Sequence, residues 1–317
     1  GASGSVNVSA PGGSSTMGQF NWFLPPAISS FSPTNGPIGT TVTISGSNFH
    51  ITPSENIVYF GAVRATVMSG TSSSLTVKVP AGATFEAISV VSNNLIGYSA
   101  KPFLVTFMNG GSITPSSFAP PVGIYVGPNN GLSDIKIGDM DNDGKPDIIA
   151  KVQGLTDNSG LFVYRNISTL PSVAFDTPVY IRSDYFPVSL ELGDLDGDGK
   201  LDIVVGGETT ISAFRNISTP GNILIVPSVV TSVQRSPVSL AIGDIDGDGK
   251  SDIAASFYPA ESAIILRNTS EPGSFSFAEA ISIPSTPGGR NMLLADIDRD
   301  AKPDLIIPNA TSHEFLV

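Results

Sequence analysis

Residues 194–202 read Asp-Leu-Asp-Gly-Asp-Gly-Lys-Leu-Asp, four carboxylates in nine positions. Carboxylates this close repel one another unless a cation sits among them. In a tight loop with this spacing, side chains at positions 1, 3 and 5 converge on one point. A backbone carbonyl at position 7 and a carboxylate at position 9 complete an oxygen cage. The ligands would be Asp194, Asp196, Asp198, the Lys200 carbonyl and Asp202, with Gly199 at position 6 for the sharp turn. Hard oxygen donors without His or Cys select Ca2+ or Mg2+, and a crowded, flexible set suits the larger Ca2+.

The pattern recurs. Its other copies supply Asp139, Asp141, Asp143, the Lys145 carbonyl and Asp147; Asp244, Asp246, Asp248, the Lys250 carbonyl and Asp252; and Asp296, Asp298, Asp300, the Lys302 carbonyl and Asp304. One Ca2+ per loop is expected. In the fourth copy Ala301 replaces the glycine and Arg299 sets a cation beside the cage. None is an EF-hand, because position 12 holds Ala150, Val205, Ala255 or Ile307 instead of a bidentate Glu.

The elements that position these loops follow from the repeat. The leading aspartates are 55, 50 and 52 residues apart, and apolar, β-branched runs such as Asp202-Ile-Val-Val leave each loop. A second repeated element ends in Arg165-Asn166, Arg215-Asn216 and Arg267-Asn268. Each unit reads as a strand into the loop, a strand out, a third strand ending in Arg-Asn, and a weaker fourth. Four strands every ~50 residues is the period of a β-propeller blade.

Upstream, residues 26–107 alternate apolar and polar positions, as in Val42-Thr43-Ile44 and Leu75-Thr76-Val77, with Pro-Thr-Asn-Gly and Pro-Ala-Gly turns between them. That spacing suits a small β-sandwich. Residues 108–117 read as a linker. Residues 1–25 read as an extended arm ending near Trp22, able to add a strand to a neighbour's open sheet edge.

The whole chain is therefore expected to be all-β. Sixteen of its 28 acidic residues lie in the four loops, so the net charge of −12 belongs to sites and not to a surface field. A basic footprint for nucleic acid is missing, and no apolar run reaches the ~18 residues of a membrane span. With no cysteine there are no disulfides or thiolate metal sites. His50 and His313 have no partner pattern for nucleophilic catalysis, and no phosphate loop or nucleophile elbow is present. The acidic pairs are accounted for by metal, so the expectation is a chain that is not an enzyme.

The acidic repeats over 118–317 resemble the FG-GAP/VCBS family, with its integrin-type propellers. The resemblance implies structural calcium in loops between the first two strands of each blade. Residues 26–107 resemble the IPT/TIG immunoglobulin-like family through Pro26-x-Ile-x-x-Phe-x-Pro33, Gly36-x-x-Gly-Thr-x-Val-Thr-Ile-x-Gly46, Val58-Tyr-Phe-Gly61 and Val77-Lys-Val-Pro-Ala-Gly-Ala83. Together they imply an immunoglobulin-like sandwich followed by four calcium-loop blades, in a secreted bacterial protein at the cell surface or outside the cell. The function expected is structural or adhesive, with other protein subunits or further copies of itself as partners, assembling into a filament through the N-terminal arm. The alternative is a lectin-like propeller that binds glycans, with Tyr180, Tyr185, Phe186 and Tyr258 as sugar platforms.

Two expectations remain. Asn7, Asn166, Asn216, Asn268 and Asn309 stand in Asn-x-Ser/Thr sequons, read either as turn residues of the blade or as glycosylation acceptors. Phe118–Val126 resembles the outer-strand stretch beginning at Val173, so it is expected to complete the fourth blade as a closing clasp, unless the parent chain is longer.

Overall fold

The computed structural model describes residues 4–10, 13–20, 23–106, 120–126, 130–154, 159–169, 172–183, 186–257, 262–284, 291–298, 302–309 and 314–317. It is a β-protein in two parts. The expected linker at 108–117 lies outside the described residues.

The first part is a sandwich of two four-stranded sheets. One runs in the order Ala27–Ser32, Thr41–Ser47, Ser74–Lys78, Val67–Thr71. The other runs Leu95–Pro102, Ala87–Ser92, Asn56–Phe60, Val63–Ala65. Alternation builds the core: Val42 and Ile44 point inward opposite Val77 and Leu75, while Thr41 and Thr43 face solvent. They meet Val58, Phe60, Ile88 and Val90 from the facing sheet. Phe60 packs edge-on against Phe103 at 5.4 Å between ring centroids, the preferred arrangement for aromatic pairs.

The second part is a succession of antiparallel sheets, one per acidic loop. The first holds Asn130–Gly138, Asp147–Gly154, Gly160–Tyr164 and Val179–Arg182. The second holds Ser189–Gly193, Asp202–Gly206, Thr210–Asn216 and Ile225–Ser232. The third holds Pro237–Gly243, Asp252–Phe257, Ser262–Leu266 and Ile281–Pro284. The fourth has three described strands, Leu293–Ala295, Asp304–Asn309 and Glu314–Leu316. Each acidic loop joins the first two strands of its sheet, and in the second and third sheets the strand that leaves it is buried on both faces because it lies between neighbouring sheets. Asp202–Gly206 and Asp252–Phe257 are buried throughout.

Two expectations are corrected. Residues 120–126, the described part of the stretch expected as a clasp, form no strand and add nothing to the fourth sheet. The N-terminal arm, expected as one extended segment, is two strands that pair with each other: Gly4–Ala10 and Gly13–Phe20 run antiparallel as a hairpin. A hairpin satisfies half of each strand's backbone groups internally, which a single strand in water cannot do. Among the described residues no helix is long and apolar enough to cross a membrane.

Candidate metal centres at the acidic loops

The backbone of each loop is wound around its own carboxylates. At position 1, Asp139, Asp194 and Asp244 each accept from the position-6 glycine N–H, at 3.0, 2.9 and 2.9 Å. At position 9, Asp147, Asp202 and Asp252 each accept from the N–H of position 2, at 2.8, 2.9 and 2.9 Å. Their other oxygens accept from the N–H of Asn166, Asn216 and Asn268, at 2.7, 2.9 and 2.7 Å. The third strand of each sheet thus clips onto its own loop. The position-6 glycines have φ of +87°, +78° and +85°, a region open to glycine without steric cost.

Carboxylate oxygens of Asp139, Asp141 and Asp147 lie within 4.8 Å of one another, as do those of Asp194, Asp196 and Asp202, and of Asp296, Asp298 and Asp304. In the third loop the converging set is Asp244, Asp246 and Asp248. Positions 1, 3 and 9 therefore meet in three loops, and positions 1, 3 and 5 in the other. Asp143, Asp198 and Asp252 stand outside these tightest groups, and Asp300 lies outside the described residues. The carbonyl-donating lysines sit next to the cage: Lys145, Lys200 and Lys250 each give their backbone N–H to the position-5 aspartate, at 2.9 to 3.0 Å. Lys302 follows the undescribed part of the fourth loop.

Burial pushes the Asp139 and Asp194 carboxyls up to about 7 and those of Asp147 and Asp244 up to about 6, with neighbouring aspartates raising them further. Asp202 is raised well above the ordinary range for the same reason. Such a cluster calls for positive charge at its centre. The donors are all oxygen, and each carboxylate keeps lone pairs beyond those used on backbone N–H groups. The residues present therefore fit a hard divalent cation of the Ca2+ type.

Sequence reasoning missed the arginines. Arg165 Nε donates to Asp141 at 2.6 Å and Nη2 to Asp143 at 3.1 Å. Arg215 Nε donates to Asp196 at 2.7 Å, and Arg267 pairs with Asp246 and Asp248. Each guanidinium lies against positions 3 and 5 of its own loop. The signal was the Arg preceding every repeated Asn, hidden because it lies 24, 19 and 21 residues from its position-3 partner.

The repeated asparagines hold neighbouring sheets together. Asn216 Nδ2 donates to the Leu201 carbonyl of its own loop at 2.9 Å and to the Met140 carbonyl of the previous loop at 2.8 Å. Asn268 repeats this with Ser251 and Leu195, both at 2.8 Å. Behind each, Gly221 N–H donates to Asp141 and Gly273 N–H to Asp196, at 2.8 and 2.9 Å. A fully buried amide with both hydrogens in use is no glycan acceptor, which corrects that reading for Asn216 and Asn268. Asn166 is half-buried and donates to the Pro146 carbonyl at 2.8 Å. The side chains of Asn7 and Asn309 lie outside the described residues.

The sandwich rests on three of these loops. The Tyr59 hydroxyl donates to the Gly199 carbonyl, Asn94 Nδ2 to the Gly197 carbonyl at 2.8 Å, and Ile96 N–H to the Gly249 carbonyl at 2.7 Å. Asp139 N–H donates in the other direction, to Ala62, at 3.0 Å. Ile57 packs so closely on Gly199 that a Cβ there would lie 2.1 Å from its Cδ1. Tyr180, one of the expected sugar platforms, is tied to the Ser159 carbonyl at 3.0 Å and packed on Phe162. Phe186 is exposed, and Tyr185 and Tyr258 lie outside the described residues.

Residues 26–107 match the IPT/TIG domain, and residues 194–255 and 244–307 match the FG-GAP-like repeat. No curated protein matches the chain. Among solved structures it is similar to an auxiliary nutrient binding protein from Bacteroides ovatus, with 14% identity over 93% of this chain and 70% of that one, at a TM-score of 0.28. A second auxiliary nutrient binding protein, from Bacteroides thetaiotaomicron, gives 14% identity over 89% of this chain and 94% of that one, at 0.27. A rhamnogalacturonan lyase from Bacillus licheniformis gives 16% identity over 90% of this chain and 57% of that one, at 0.37.

Proposed function

Because the chain is an IPT/TIG domain followed by FG-GAP-like repeats, we propose that it is a non-catalytic, calcium-stabilised structural or adhesive protein that works outside the cell. One observation carries this reading. The acidic loops are the places where separate parts of the molecule meet: each of the first two is bonded to the following sheet, and the first three are bonded to the sandwich. An ion at such a junction would hold domains in place. The clustered carboxylates are engaged by backbone N–H groups and arginines, which suits scaffolding better than acid–base turnover. The only described histidine, His50, accepts from the Thr52 N–H at 3.1 Å and belongs to none of the converging carboxylate groups.

Thermal unfolding in calcium and in chelator tests the reading. Binding to the folded state alone adds roughly 2.7 kcal/mol per site at a hundredfold excess over Kd, so melting should fall by many degrees on chelation. An unchanged melt would overturn it.

A glycan-binding role is the second reading. A cleft of about 550 Å³ opens between the sandwich and the second and third loops, lined by Phe23, Asn93, Asn94, Lys250, Arg267 and Glu271 among others. An apolar ring beside amides and charges is a lining that suits sugars. Binding on a glycan array, lost in Phe23→Ala, would favour it.

A further inference from the structure

The seam between the sandwich and the acidic loops is built twice on one plan. In its first half the Tyr59 hydroxyl donates to the Gly199 carbonyl, position 6 of the second loop. The same hydroxyl lies 3.2 Å from the side-chain oxygen of Asn142, position 4 of the first loop. In its second half Ile96 N–H donates at 2.7 Å to the Gly249 carbonyl, position 6 of the third loop. Asn94 Nδ2 donates at 2.8 Å to the Gly197 carbonyl, position 4 of the second. Each half thus clasps position 6 of one loop together with position 4 of the loop before it.

The glycines show the same fit. Ile57 fills the space that a Cβ on Gly199 would need, the Asn94 backbone that of Gly197, and Pro25 and Leu95 that of Gly249. At Gly144 and Gly247, the equivalent positions outside the seam, nothing lies within 4 Å of such a Cβ. The sandwich side of the seam is one sheet. Ile57 pairs with Val91 and Val91 with Ile96, so the residues over Gly199 and Gly249 stand in one row across three strands. Strands lie about 4.8 Å apart, which fixes these two contacts about 10 Å from each other. A sheet with that fixed spacing seats on both halves when the three loops keep register with one another, and is lifted when one of them does not.

We propose that the sandwich couples calcium binding in the first three loops, so that an ion in one raises the affinity of the others. This rests on the calcium-stabilised reading above and adds a regulation to it. The two states are the sandwich seated and the sandwich lifted. An ion among the carboxylates of a loop would hold its position-4 and position-6 groups where Tyr59, Asn94 and Ile96 meet them, which favours the seated state. The seated sandwich in turn holds the neighbouring loops in the shape that takes an ion. Ligands that favour the same state bind with positive coupling, typically about 5- to 150-fold. Tyr59 and Asn94 are positioning residues here, because they act on the ions only through the loops they clasp.

Amide exchange of the full chain, followed at fixed pH over a range of free calcium, tests the coupling. Asp139 N–H donates from the first loop to Ala62, and Ile96 N–H donates to the third loop, so the two report opposite ends of the seam. They should gain protection together, at one calcium midpoint and more steeply than a single site allows. In Tyr59→Phe and in Asn94→Ala the two midpoints should part by about fivefold or more. Val77→Ala, in the core on the other sheet of the sandwich, should lower the melting temperature and leave the midpoints together. Two midpoints in the wild type, joined midpoints in both seam variants, or midpoints parted as far by Val77→Ala would each overturn the proposal while leaving calcium stabilisation standing. Protection that ignores calcium altogether would overturn both.

Discussion

The hydroxyl of Tyr59, on an inner strand of the sandwich, donates to the carbonyl of Gly199 in the second acidic loop, 140 residues further along the chain. The ring is buried, and burial pushes its phenol far above the ordinary range, so the group stays a neutral donor. A carbonyl that faces a phenol in a buried contact loses that hydrogen bond if the hydroxyl goes. Tyr59→Phe should therefore cost about 1–3 kcal/mol, measured by urea denaturation. It should also speed amide exchange at Ile96, whose N–H is bonded to Gly249 in the same interface. Unchanged exchange at Ile96 would mean that the two contacts are independent.

The dependence of stability on pH should reverse with calcium. In chelator, Asp139 and Asp194 titrate near 7 and Asp147 and Asp244 near 6 in the folded chain, against about 3.9 when unfolded. Between pH 4 and 7 the folded state then holds more protons than the unfolded one, so stability falls as pH rises. With calcium bound, protons compete for the same oxygens and stability rises with pH instead. Melting curves at several pH values in each condition check the two signs.

The asparagines should rank by the sheets they join. Asn216→Ala and Asn268→Ala each take the side-chain donor from two carbonyls, both buried for Asn268 and one buried, one part-buried for Asn216, and remove the amide oxygen that accepts from Ser218 or Ser270. Each should cost about 2–4 kcal/mol, since an unsatisfied buried group costs about 1–3 kcal/mol. Asn166→Ala breaks bonds within one sheet only and should cost less. Chemical denaturation of the three variants gives the order.

Arg215 shares its charge with Asp196, whose side chain is fully buried. Removing one partner of a buried pair costs about 3–5 kcal/mol, and the arginine's partial exposure places Arg215→Gln at or below the lower end. Calcium supplies the missing positive charge, so the gap between melting in calcium and in chelator should widen relative to wild type. A gap that narrows would show that the arginine mainly shapes the cage.

The turn of the acidic loops was legible because its information is local: Asp-x-Asp-x-Asp-Gly-x-x-Asp dictates the turn and gathers carboxylates within nine residues, though positions 1, 3 and 9 meet most tightly in three loops where 1, 3 and 5 were expected. The sandwich was legible for the same reason, since alternation around Val42 and Ile44 states which face is buried. The N-terminal hairpin carried a local signal that was passed over, Pro11-Gly12-Gly13 between two strand-compatible runs. The arginine pairs, the asparagine bonds between sheets and the seat of Tyr59 on Gly199 join distant residues, and no local spacing encodes them. The closing clasp failed because resemblance to an outer strand says nothing about whether an edge is there to receive it.

The bonds that Tyr59, Asn94 and Ile96 donate, and the one that Ala62 accepts from Asp139, all join the sandwich to acidic loops. A tensile load passing from the sandwich into the sheets through this contact must therefore cross the segments that would carry the ions. Ions bound there would brace the joint, and the calcium concentration around the protein would then set its stiffness.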